Sequence, residues 1–333
     1  MKKNKTETKN YINLLKVIAM LMVVAMHVIS KAMPNYPIDT FMYKFMLFID
    51  ILLRASVPIF ILISGYLLLN KKYKLIDIIY RLLKYYIFFI IFNSLYMLLD
   101  MSVLNNNPIT TDGIKNILIS SLTLKSIYQM WYFQLILLTY ASVPIFQLLI
   151  GKNSKLLDTI TLVVLILLFQ LIPWFIPTFY NNYTYYLVFL TYFFLGYYLK
   201  KYELKYMNIL LFVLFIIGYA FTYIKSVNLD HSYYYFNFTF FNTMFVALFI
   251  YNVFSKFESI LKNEKVNATI KYLSSYNFSI FIFHGLVIGL LTKLNVINIY
   301  EYSNVFMILV NTILVYLFTL VISIGLKKLF KEI

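Results

Sequence analysis

The chain is 333 residues long, 62% hydrophobic and only 13% charged, with no cysteine and a formal net charge of +16. Soluble domains run about 45–50% apolar and about 25% charged, so a water-soluble globule is excluded, and with it a large soluble domain at either end. Without cysteine there are no disulfides, thiol nucleophiles or thiolate metal sites. The three histidines, His27, His231 and His284, are too scattered for a zinc motif, and no metal is expected.

A membrane-crossing helix needs about 20 largely apolar residues. Cutting the apolar runs at their polar breaks predicts an all-α integral membrane protein. About ten transmembrane helices form one bundle, over 12–30, 45–69, 80–99, 130–150, 157–176, 183–199, 207–224, 236–254, 272–291 and 304–326. An even number puts both termini on one side. The connections on that side, counted with Arg81 and Lys84 at the adjoining end of the 80–99 span, hold 21 Lys and Arg, those on the other hold 6, and Lys16 and Arg54 lie deeper inside spans. The positive-inside rule therefore sets both termini in the cytoplasm of a plasma-membrane protein, with residues 1–11 as a cytoplasmic tail. Net charge becomes topology and contact with anionic lipids, and nucleic acid drops out as a partner.

The basic start and the apolar run after it resemble a signal peptide. No small-residue cleavage site follows, and the run ends at Lys31-Ala32-Met33-Pro34, so it reads as a retained first span. No internal repeat of the transporter kind is evident, and residues 1–333 read as a single transmembrane domain. The longest outer connection, 100–129, holds an apolar stretch from Ile114 to Leu124 suited to the outer interface. The other outer loop of note, 225–235, carries Asp230, His231 and three consecutive tyrosines. Trp131 and Trp174 fall near outer boundaries, as an interfacial belt expects.

Ionisable groups inside a span are expensive and are functional hypotheses by default. Here they are Lys16, His27, Asp50, Arg54 and His284. Lys16 and His27 are eleven residues apart, which is within 20° of three full turns, so they share one helix face about 16 Å apart. The alternative is that Lys16 snorkels to the interface and His27 hydrogen-bonds a neighbouring helix. Arg54 is one of two arginines among 29 basic residues, and its planar five-donor fork is what Lys lacks. Asp50, one turn earlier, can simply neutralise it. Pro58 breaks the helical bonding just beyond, so this span is expected to bend, and Gly65 in Ser64-Gly65-Tyr66 permits close helix approach. His284 lies near mid-depth in the ninth span, with a structural hydrogen bond as its alternative role.

At these residues the sequence resembles the acyltransferase 3 family, multi-pass membrane proteins that acylate, usually O-acetylate, cell-surface glycans. Lys16, ten residues and His27 match the family's opening motif, with Asn13 where Asp often sits and Lys16 where Arg is usual. Arg54, Ser56, Val57, Pro58 and Phe60, then Ser64-Gly65-Tyr66, match the motif of its second span. Trp131-Tyr132-Phe133 and Tyr140 to Pro144 are similar to its fourth span, though Gln129 stands where His is expected. Ser279 to His284 loosely match a late Ser-to-His pattern. Enterobacterial common-antigen O-acetyltransferases resemble it most.

The resemblance implies transfer of an acetyl group from cytoplasmic acetyl-CoA to a hydroxyl of a cell-surface or lipid-linked glycan. His27, Arg54 and His284 would be catalytic, Lys16 and Arg54 donor-binding, and Asn13, Ser64 and Trp131 supporting. Imidazole can act as general base or as acyl carrier, and Arg can stabilise a thioester oxyanion or a phosphate. The competing reading is a polysaccharide or lipid-linked sugar translocase. Against it stand the missing repeat and the lack of an intramembrane acidic chain for proton coupling.

Overall fold

A computed structural model describes residues 9–150, 154–176, 184–202, 208–227, 237–238, 240–300, 302 and 304–329. Most of the 225–235 loop, His231 included, lies outside these, as do residues 1–8 of the tail and the side chain of Trp174. Among the described residues every regular element is a helix. In chain order they are α1 (Asn10–Ala32), α2 (Phe41–Leu53), α3 (Ser56–Leu68), α4 (Leu75–Leu99), α5 (Thr111–Leu122), α6 (Trp131–Ile150), α7 (Lys155–Ile166) and α8 (Ile172–Phe175). Then come α9 (Val188–Lys201), α10 (Asn208–Val227), α11 (Phe241–Ser255), α12 (Glu264–Ser274), α13 (Asn277–Lys293) and α14 (Phe306–Leu329).

α1 is central and packs against α2, α3, α11, α12, α13 and α14. Its N-terminal residue Lys9 gives no side-chain cap. Instead the Glu258 carboxylate accepts from the amides of Asn10 (3.1 Å) and Tyr11 (2.9 Å). A carboxylate at a helix N-terminus satisfies orphan donors and complements the dipole. α4 and α10 sit at the periphery and carry exposed aliphatic rows such as Ile87, Ile91 and Leu95, and Ile209, Ile216 and Ile217. A lipid-facing helix has no reason to hide such residues.

The break in the second span lies between α2 and α3, at Arg54 and Ala55. Pro58 has no N–H to offer the Arg54 carbonyl four residues back, and its ring crowds that carbonyl. α3 and α9 make the closest helix pair. A Cβ on Gly65 would strike the Phe193 carbonyl and one on Gly196 the Leu62 carbonyl, so these two glycines let the backbones touch. α5 lies outside the span set, as expected for the 100–129 connection. It exposes Ile114, Leu118, Ile119 and Leu122, and turns Ser121 inward to Asn93 (3.0 Å) and Ser94 (2.9 Å) of α4.

Among the described residues six helical runs are long and apolar enough to cross a membrane, and a seventh if α12 and α13, bent by 56°, form one span. The other three expected spans fall on α7–α8, α9 and α11. The α7–α8 run widens to a π-helix at Leu167–Leu171 ahead of Pro173. α9 and α11 have 14 and 15 residues, or about 21–23 Å, against a hydrocarbon core of about 30 Å. Both are packed inside protein, and such helices need less apolar length than lipid demands. The protein is therefore an all-helical, multi-pass membrane protein.

Candidate functional site

Two cavities of about 300 Å³ each lie along α1. The first is lined by Lys16, Ser64, Thr139, Tyr140 and Asn277, with Tyr85, Tyr132 and Phe278 among its aromatic walls. Ser64 donates to the Phe60 carbonyl (2.9 Å) and Thr139 to the Ile136 carbonyl (2.8 Å), the usual back-bonding of hydroxyls on helices. Lys16 has no carboxylate within 4 Å among the described residues. Asn277 is buried, and neither its amide nitrogen nor its oxygen has a partner among the described residues. A buried polar group left unpaired costs free energy, so this side chain is poised for a ligand's hydrogen bonds.

The second cavity is lined by His27, Ser30, Arg54, Gln129 and Trp131. His284, fully buried on α13, stands behind it with its ring 5.0 Å from the His27 ring, centroid to centroid. His284 Nδ1 is 3.1 Å from the Ile280 carbonyl. A carbonyl only accepts, so Nδ1 carries the proton and Nε2 keeps its lone pair. That Nε2 has no partner among the described residues. His27 makes no side-chain hydrogen bond among the described residues and presents its ring to the cavity.

Arg54 reaches this cavity from the break that Pro58 imposes. Its Nε (3.1 Å) and Nη2 (2.9 Å) both donate to Asp50 Oδ2, and its guanidinium lies 5.6 Å from the Phe238 ring centroid. Phe238 in turn stacks on Trp131 at 5.6 Å and 27°. The arginine is thus neutralised by Asp50 and still keeps 14% of its side chain exposed beside His27. Asp50 itself is fully buried, and its Oδ1 is without a partner among the described residues.

The residues singled out by sequence separate into two groups. His27, Arg54 and Trp131 line one cavity, with His284 against it, while Lys16 and Ser64 line the other. Lys16 and Arg54, expected together at a donor, are in different cavities. Asn13 lines neither, and its Oδ1 accepts from Ser274 (3.4 Å), tying α1 to α12. Gln129 stood out in the sequence only as a departure from an expected His, and its bonds were invisible there: its Nε2 donates to the Ile282 carbonyl (2.9 Å) and to the Tyr96 hydroxyl (3.0 Å). Gly285, next to His284, leaves the room that this amide occupies. Asn277 was equally invisible, since one amide in an apolar span carries no motif. A family described as an acyltransferase domain matches residues 9–328. No curated protein and no solved structure matches the chain.

Proposed function

The chain belongs to the acyltransferase 3 family, and from that premise we propose that it moves an acetyl group from cytoplasmic acetyl-CoA to a hydroxyl of a cell-surface or lipid-linked glycan. The observation that carries the reading is the pair of imidazoles 5.0 Å apart beside one cavity, with a second cavity bearing Lys16 on the same helix. Two substrates confined to opposite sides of a membrane require two entries to one reacting centre.

In this reading the Lys16 cavity takes the acyl-pantetheine arm from the cytoplasmic side. About 300 Å³ is at the small end of ligand pockets, so the nucleotide stays outside, among the basic loops. The amides of the arm meet Asn277, and Lys16 attracts the phosphate end. The acceptor hydroxyl enters the His27 cavity from outside. His27 takes its proton as the hydroxyl oxygen bonds to the thioester carbonyl carbon. The C–S bond then breaks, and the proton passes to the departing sulfur. Arg54, held in place by Asp50, faces the oxygen that becomes negative. His284 orients the reacting groups through its Nε2 lone pair rather than by taking a proton.

The charge bias of the loops supports ten spans with both termini cytoplasmic in the plasma membrane, as one transmembrane domain. A reporter fused after Lys331 should then read as cytoplasmic, and an external reading would give an odd span count. Membrane lipids and the glycan are the partners, and no metal takes part. The deciding experiment supplies labelled acetyl-CoA to purified protein in proteoliposomes loaded with lipid-linked glycan. Label recovered on the glycan is the expected result, and glycan movement without label would assign a translocase.

A further inference from the structure

We propose that Phe281 is the gate between the two cavities and that its ring limits the length of acyl group that reaches His27. The second half rests on the acyl-transfer reading, whereas the first does not.

Phe281 is the side chain common to the linings of both cavities among the described residues. It is 7% exposed. Its ring centroid lies 4.7 Å from that of Tyr132, a wall of the Lys16 cavity, and 5.8 Å from that of His284. Residues three and four apart share a helix face. One stripe of α13 therefore carries Phe278 in the Lys16 cavity, Phe281 at the partition and His284 beside His27. α1 repeats the order with Lys16 and His27.

A thioester in the Lys16 cavity that moves to His27 along the wall the two cavities share passes this ring. A phenylalanine has two side-chain dihedrals and discrete rotamers, so turning one side chain opens the path without moving a helix. While the ring stands across it, water and hydroxyls in the His27 cavity are kept from the thioester. A narrow acyl group needs only a small displacement, and a longer one needs space that the ring and Tyr132 occupy. The partition is thus a shutter against hydrolysis and a size filter in one residue.

The natural absence of cysteine gives a test that does not depend on turnover. Single cysteines are introduced in the full chain as Ser30→Cys, in the His27 cavity, and Ser64→Cys, in the Lys16 cavity. Oriented proteoliposomes are treated from one side at a time with a small cationic, membrane-impermeant methanethiosulfonate, and labelling is read by mass. With Phe281 in place each cysteine should be labelled from its own side only. With Phe281→Ala far-side labelling should rise at least about tenfold, and with Phe281→Trp it should stay closed. Near-side labelling reports that the cavities are intact. If Phe281→Ala loses it, Phe281→Leu takes its place, with a smaller rise expected. Far-side labelling already present in the parent, or unchanged in the smaller variants, overturns the gate.

A second arm measures free CoA released from acetyl-CoA and from butyryl-CoA in native membranes. Phe281→Ala should shift the ratio toward butyryl-CoA by about tenfold, and an unchanged ratio overturns the filter. A parent chain that consumes neither thioester while the sidedness result holds would remove the acyl-transfer reading and leave the gate standing.

Discussion

The two cavities are nearly equal in volume and differ in how their polar groups are held. Around His27 most groups are tied through at least one atom: Arg54 to Asp50, Gln129 to Ile282 and Tyr96, His284 to Ile280 through Nδ1, and Trp131 stacked on Phe238. In the other cavity, among the described residues, Lys16 lacks a carboxylate partner and Asn277 lacks a partner for either end of its amide. Charge that develops in a transition state is best met by dipoles fixed in advance, because no reorganisation is then needed. Groups that wait for a ligand can be satisfied by the ligand itself. On the proposed function one cavity suits chemistry and the other capture, and substitutions should separate the two roles.

The largest expected effect is at His27. His27→Ala should abolish acyl transfer, a loss of about 10²–10⁴-fold for a general base, with insertion and expression unchanged. Transfer above about a tenth of the parent rate would break the assignment. Arg54→Lys comes next, at about 10²-fold in kcat, the scale of one oxyanion donor. Lys keeps the charge but cannot place two nitrogens on Asp50 Oδ2 and a third toward the cavity. If the pair were only structural, Asp50→Asn with Arg54→Gln would be tolerated, because both charges leave together. Measured transfer in that double variant decides the matter.

His284 should be more forgiving. His284→Gln or Asn keeps a polar contact and should retain partial activity, whereas His284→Leu should not. Equal loss in all three would point to proton transfer, and equal tolerance to a purely structural hydrogen bond. The smallest effect is expected in the capture cavity. Lys16→Met should raise the KM for acetyl-CoA by about tenfold with kcat little changed, and Lys16→Arg should restore it. A fall in kcat with KM constant would move Lys16 to the reacting centre.

What the sequence disclosed follows the distances over which its signals act. Lys16 and His27 share a face because eleven residues are near three turns, and the break at Arg54 follows from Pro58 four residues on. Both are local arithmetic. Gln129 bonds Ile282, 153 residues away, and Glu258 caps α1 at Asn10 from 248 residues away. Nothing near either residue announces such a pairing. Phe281 was hidden for another reason: with 32 phenylalanines in the chain, composition makes each one look like bulk. The shorter α9 and α11 escaped because an apolar run shows that a helix is buried, without showing whether lipid or protein buries it.

α1 also has a metrical consequence. It runs unbroken from Lys16 to His27 with neither glycine nor proline between them. Glu258 holds one end, and at the other the Tyr302 hydroxyl donates to the Val28 carbonyl (3.0 Å). Such a helix is a ruler, and its graduations are discrete. Inserting one residue lengthens it by about 1.5 Å but turns one group away from the other by about 100°, and the two face each other again only after three or four residues, about 5 Å further on. On the proposed function, the span between the anionic end of the donor and its reactive carbon is gauged against a length that cannot drift in small steps. A donor whose arm is shorter than that gauge can reach Lys16 or His27, but not both at once.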